Sequence, residues 1–67
     1  MEKVVQANLA KYCNDLGIKK RTIARKIGMS EVALGRIFLL KRGMTLDEYV
    51  LICNAIDKPP EYFINMQ

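Results

Sequence analysis

Lys19, Lys20, Arg21, Arg25, Lys26, Arg36, Lys41 and Arg42 crowd the middle of this 67-residue chain, opposed there only by Glu31. Outside that segment the balance reverses, with Lys3, Lys11 and Lys58 set against Glu2, Asp15, Asp47, Glu48, Asp57 and Glu61. The formal net charge of +4 is modest. A cationic middle between acidic ends is nevertheless the electrostatic footprint expected of a polyanion binder. A solvated face that only aids solubility has the same composition, so the charge alone does not decide. Other chemistries have less to work with. The chain has no histidine, no metal-ligand cluster, no phosphate-cradling glycine loop and no nucleophile–base arrangement. Its carboxylates fall mostly at helix caps and loops. We therefore expect no enzyme, no metal, no cofactor and no small-molecule substrate. Cys13 and Cys53 either pair or serve as small buried hydrophobes. Without a CxxC spacing the second role is the expectation, in a reducing cytoplasm.

The elements that position these charges must come from a short chain. Sixty-seven residues make one domain, burying only roughly 60% of the unfolded surface, so its stability should be marginal and helped by a partner subunit. A hydrophobic fraction of 51% argues against disorder. The longest apolar run, Ile37-Phe38-Leu39-Leu40, is far short of a membrane span, and Met1-Glu2-Lys3 does not open a signal peptide.

Val5, Leu9, Tyr12 (with Cys13) and Leu16 form one apolar stripe, which predicts a first helix over about Glu2–Leu16, stopped by Gly17. A second helix should run from Lys20 to Ile27, burying Ile23, Ala24 and Ile27, with Gly28 as its left-handed end. Ser30 is a good N-cap for a third, about Glu31–Leu39, with Leu34 and Ile37 inward. Thr45-Leu46-Asp47-Glu48 reads as a capping box opening a fourth helix. That helix should bury Leu46, Tyr49 or Val50, Cys53 and Ile56, and end at Asp57-Lys58-Pro59-Pro60. A final turn, Glu61–Ile64, completes an all-α bundle of five short helices. The second and third helices are joined only by Gly28, Met29 and Ser30, which forces a steep crossing and predicts a helix-turn-helix over about 20–39.

On Ile23, Ala24, Ile27, Gly28, Met29, Leu34 and Ile37, the chain resembles the lambda-repressor-like helix-turn-helix family of phage Cro proteins, phage repressors and related bacterial regulators. The resemblance runs from about Leu9 to Phe63. It takes in Thr22 to Ser30, the capped helix beginning at Thr45, and Cys53-Asn54-Ala55-Ile56 followed by Tyr62-Phe63. It implies a five-helix domain acting as a dimer on a roughly two-fold symmetric DNA operator. Two positions depart from the family pattern. An arginine on the first helix and a glutamate ending the third, which pair in many members, appear as Cys13 and Phe38. A hydrophobic contact is expected in their place, with no charge to desolvate. The alternative is an exposed patch of Phe38, Leu39 and Leu40. The glutamine that often opens the second helix is Lys20, which can neutralise phosphate but cannot brace a neighbour through an amide, and Lys19 is a poor N-cap.

In such a fold the third helix enters the major groove. The base-reading candidates are Arg36, as a bidentate donor to guanine, Val32 or Ala33 against a thymine methyl, and Glu31, with Gly35 on the same face. Glu31 either accepts from a cytosine amine or serves the helix dipole. Phosphate contacts are expected from Lys19, Lys20, Arg21, Ser30, Lys41 and Arg42. One monomer buries too little for tight specific binding, so a homodimer on double-stranded DNA is expected. The apolar tail Tyr62-Phe63-Ile64-Asn65-Met66 either seals the core or forms the dimer seam. In the second case, removing residues 62–67 weakens binding more than helix content. The function expected is a Cro-like repressor in the cytoplasm, at the nucleoid. The alternative is a modulator or anti-repressor of the same fold that binds another protein, which Glu31, the missing glutamine and the Ile37–Leu40 run would suit.

Overall fold

The structure, a computed structural model, describes residues Met1–Met66; Gln67, the last residue of the tail considered for the dimer seam, lies outside them. Its elements are α1 (Lys3–Asp15), α2 (Lys20–Ile27), α3 (Glu31–Phe38), α4 (Leu46–Ala55) and α5 (Glu61–Ile64). Every regular element among the described residues is thus helical. No helix is long and apolar enough to cross a membrane.

Helix α1 buries Val5, Leu9 and Cys13, with Gln6 and Ala10 beside them. Leu16, expected on the same stripe, is instead exposed. The helix has ended by then. Gly17 turns the chain through φ +69°, and the Ile18 N–H returns to the Cys13 carbonyl at 2.9 Å, so Ile18 takes the place against the core. Gly17 N–H to Asn14 C=O at 3.1 Å completes a Schellman closure.

The same closure ends three more helices. Met29 N–H reaches Ala24 C=O around Gly28, Lys41 N–H reaches Arg36 C=O around Leu40, and Lys58 N–H reaches Cys53 C=O around Asp57. The pivot residues have φ +73°, +61° and +58° respectively. Glycine takes that conformation without strain, whereas Leu40 and Asp57 do not.

Helix α2 buries Ile23 and Ala24, with Ile27 half-buried at its end, and packs against both α3 and α4. Met29 and Ser30 then lead into α3, whose N-cap Ser30 Oγ accepts from the Ala33 N–H at 3.1 Å. Leu34, Ile37 and Phe38 face inward. Phe38 is buried, as expected, and lies with Cys13 in the central apolar cluster, while Leu39 and Leu40 are exposed.

Thr45 and Glu48 form the reciprocal capping box of α4, with Thr45 N–H to Glu48 Oε1 at 2.9 Å and Glu48 N–H to Thr45 Oγ1 at 3.1 Å. Tyr49, Ile52 and Cys53 are its buried face. Leu46, expected in the core, is exposed, whereas Met44, the residue before the cap, is buried. Met44 and Tyr49 occupy the two positions of a hydrophobic staple, and both are buried.

Helix α5 closes the base of the bundle against α1. Phe63 is fully buried, Tyr12, Tyr62 and Phe63 meet edge to face at 5.0–5.7 Å, and Lys58 lies over the Tyr62 ring at 4.8 Å. Asn8 Nδ2 donates to the carbonyls of Phe63 and Met66, and the Tyr49 hydroxyl donates to the Pro60 carbonyl. Phe63 is therefore not available to a dimer seam, and a deletion from Tyr62 onward would open the core. Met66 is half-buried against the core, which leaves Tyr62 and Ile64 as the exposed apolar residues of that tail.

Candidate nucleic-acid interface

The site begins where α2 and α3 start. Lys19 is the N-cap of α2 and makes no side-chain cap bond, as its residue type implies. The first N–H groups of both helices lack intrahelical partners, and the positive end of each macrodipole lies there. Arg21 Nε sits 3.6 Å from Glu31 Oε1, a pair that links the first turns of the two helices. Both side chains are well exposed, so the pair is weak in energy, but it gives Glu31 a cationic neighbour within the molecule. Lys20 is half-buried, with Nζ 5.8 Å from the centre of the Phe38 ring.

Two shallow depressions join these residues to the outer face of α3. One, of about 370 Å³, is lined by Lys19, Lys20, Arg21 and Glu31. The other, of about 410 Å³, is lined by Lys20, Glu31, Val32, Gly35 and Leu39. They share Lys20 and Glu31, so Lys19, Lys20 and Arg21, expected to hold phosphate, adjoin Glu31 and Val32, expected to read bases. Val32 is 67% exposed, and Arg36, one turn further along α3, is exposed too. Ala33 is half-buried, with its N–H held by Ser30, and so lies at the margin of this face. Ser30 has spent an acceptor lone pair on that bond and keeps its hydroxyl proton for donation.

After α3 the chain leaves through Leu40 to Gly43. Lys41 is exposed there. Arg42, expected to hold a phosphate, is engaged within the molecule. Its guanidinium forms a bidentate pair with Glu48, at 3.0 and 2.8 Å, and Nη1 also donates to the Gly43 carbonyl at 2.9 Å. The fork matches a carboxylate, and Glu48 is already fixed by the capping box, so Arg42 anchors the loop to α4 while its side chain stays part-exposed. The Arg42 bonds, with the Thr45 backbone N–H, hold the Glu48 carboxyl at about 2, well below its ordinary 4.5.

The residue that sequence reasoning missed is Gln6. It is buried, and its Nε2 donates to the carbonyls of Ile37 at 2.7 Å and Arg42 at 2.8 Å, pinning the end of α3 and the following loop to α1. The signal was its register: Gln6, Leu9, Ala10 and Cys13 share the buried face of α1. Lys3 was also passed over. It lines a small depression of about 180 Å³ with Lys41 and Gln6 among others, so a lysine from the acidic end of the sequence joins the basic surface in space.

No group of metal-binding side chains occurs among the described residues. Cys13 and Cys53 are free thiols buried in the core. Burial, and then the neighbouring Cys53, pushes Cys13 up to about 11, and burial raises Cys53 as well. At both positions burial disfavours the thiolate, the reactive form.

Comparison with protein-family models, with curated proteins and with solved structures finds no match to this chain.

Proposed function

We propose that this chain is a sequence-specific DNA-binding regulator of transcription, a Cro-like repressor that grips a two-fold symmetric operator as a homodimer through a helix-turn-helix formed by α2 and α3. The observation that carries the proposal is the outward face of α3. Val32 and Arg36 are exposed on it, and it is continuous with Lys19, Lys20 and Arg21 at the start of α2. On this reading Arg36 donates to a guanine edge and Val32 meets a base methyl. Lys19, Lys20, Ser30 and Lys41 hold phosphates, with Lys3 added to the set. Arg42 acts indirectly, by holding the loop that presents Lys41. Glu31 steadies Arg21. The protein is then a binding module of the nucleoid, with no catalytic step, and Tyr62 and Ile64 are the tail residues left to contribute to its dimer seam.

The test is selection of bound duplexes from a random pool, repeated with Arg36→Ala and Lys41→Ala. Arg36→Ala is expected to relax one base preference at a cost of about 1–3 kcal/mol, and Lys41→Ala to weaken all duplexes alike. If the unmodified protein enriches no motif, the proposal fails.

A second reading draws on Val32 and Leu39, both about two-thirds exposed and flanking a depression that also contains Glu31. An apolar, partly acidic face suits a modulator that binds another protein. Tight protein binding that is nearly independent of salt, without an enriched duplex, would favour it.

A further inference from the structure

Helix α4 is apolar on more sides than its packing uses. Tyr49, Ile52 and Cys53 are buried, yet Leu46 and Leu51 are exposed on the rest of the helix and Val50 is half-buried. A helix that is apolar beyond one stripe is ordinarily covered on its second side as well. Asp47, Leu51 and Asn54 follow one another at spacings of four and three residues, so they share an outward face, and all three are exposed. Where that face meets the end of α2, a shallow depression of about 220 Å³ is lined by Lys26, Ile27, Leu51, Asn54 and Ala55. Leu51, 46% exposed, is its apolar rim.

The two ends of this strip carry opposite charges. Asp47 stands in the first turn of α4. Lys26 lies at the far end, its Nζ 3.4 Å from the Ala55 carbonyl, and Arg25 beside it in sequence is exposed too. Among the described residues neither Asp47 nor Lys26 belongs to an ion pair. An acidic or a basic partner would suit one end of the strip and oppose the other. A second copy, turned about a two-fold axis, suits both, because a carboxylate, a leucine and an ammonium in line are complementary to themselves when reversed.

We infer that this strip is a seam between two copies of the chain, their α4 helices antiparallel and Leu51 of each seated against the depression of the other. Asp47 of one copy then meets Lys26 of the second, and the symmetry makes that pair twice. The seam is separate from the operator-spanning one proposed above, which draws on Tyr62 and Ile64, and the two share no residue. It forms without a duplex. A chain with both seams joins pairs into larger assemblies, so that pairs on neighbouring sites of one polyanion would reinforce each other.

The experiment is sedimentation equilibrium of the free protein carrying Ile64→Asp, which blocks the α5 seam and leaves only the α4 seam to be read. Association should persist in that background. Adding Asp47→Lys places like charges together twice and should weaken association about tenfold. Lys26→Asp should do the same. The two substitutions together exchange the charges and should restore association to within about threefold of the Ile64→Asp parent. That restoration separates a seam from a loss of folding, since each reversal also opposes its own helix dipole. An Ile64→Asp protein that stays monomeric up to about 1 mM, or a doubly reversed protein that associates no better than the single reversals, would overturn the inference. Either result leaves the DNA-binding reading standing, which fails instead if no duplex is enriched.

Discussion

At the scale of single residues, side chains of one chemical type divide by what they face. Arg36 is exposed on the outer surface of α3, whereas Arg42, part of the same basic run in sequence, is committed to Glu48. Nothing local distinguishes them; the difference is that Arg42 lies within reach of a carboxylate already fixed by Thr45. That arrangement has a pH signature. In the folded protein Glu48 takes up its proton only near pH 2, against 4.5 ordinarily, so folding favours the carboxylate. The resulting stabilisation is complete above about pH 4.5 and is lost as pH falls toward 2. Melting temperatures of the unmodified protein and Glu48→Gln should thus differ most at neutral pH and converge under acid. A gap that persists unchanged down to pH 2 would show that the carboxylate charge is not what matters there.

At the scale of elements, the helix starts and stops were written in residues with distinctive backbone chemistry, and those were legible: Gly17, Gly28, Ser30, and the Thr45–Glu48 box. Apolar spacing fixed the inward faces of α2 and α3 equally well. What the sequence hid lay at the ends, where a helical period no longer applies. Leu16 and Leu46 continue an apolar pattern past the point where tertiary geometry uses it, and Ile18 and Met44 enter the core from loops instead. Gln6 was hidden because its partners are two carbonyls 31 and 36 residues away. The candidate surface was legible as a list of residue types, but not the pairing of Arg42 with Glu48 or the nearness of Lys3 to Lys41. The recurrent closures carry a prediction of their own. Leu40 adopts φ +61°, which costs a side-chain-bearing residue roughly 1–2 kcal/mol. Leu40→Gly should therefore raise the melting temperature by a few degrees, after allowing for the greater freedom of glycine in the unfolded chain. A lower melting temperature would mean that packing of the half-exposed leucine outweighs the strain.

At the scale of the molecule, size limits what one copy can do. The longest dimension is 28 Å, whereas successive major-groove faces on one side of a duplex are about 34 Å apart. On the proposed reading one copy covers a single half-site, and two copies related by a two-fold axis span an operator. On the same reading, with Phe63 in the core, that contact falls to groups still exposed on α1 and α5, Val4 and Ile64 among them. On the proposed reading the basic surface meets a polyanion whose bound counterions are released on association. The most direct measurement is the affinity for an enriched duplex between about 50 and 200 mM salt. Each phosphate held lowers the logarithm of the binding constant by about 0.9 per tenfold rise in salt. The account predicts a steep linear fall that becomes shallower by about one such increment in Lys41→Ala. Binding that is indifferent to salt, or a slope unchanged in Lys41→Ala, would contradict it.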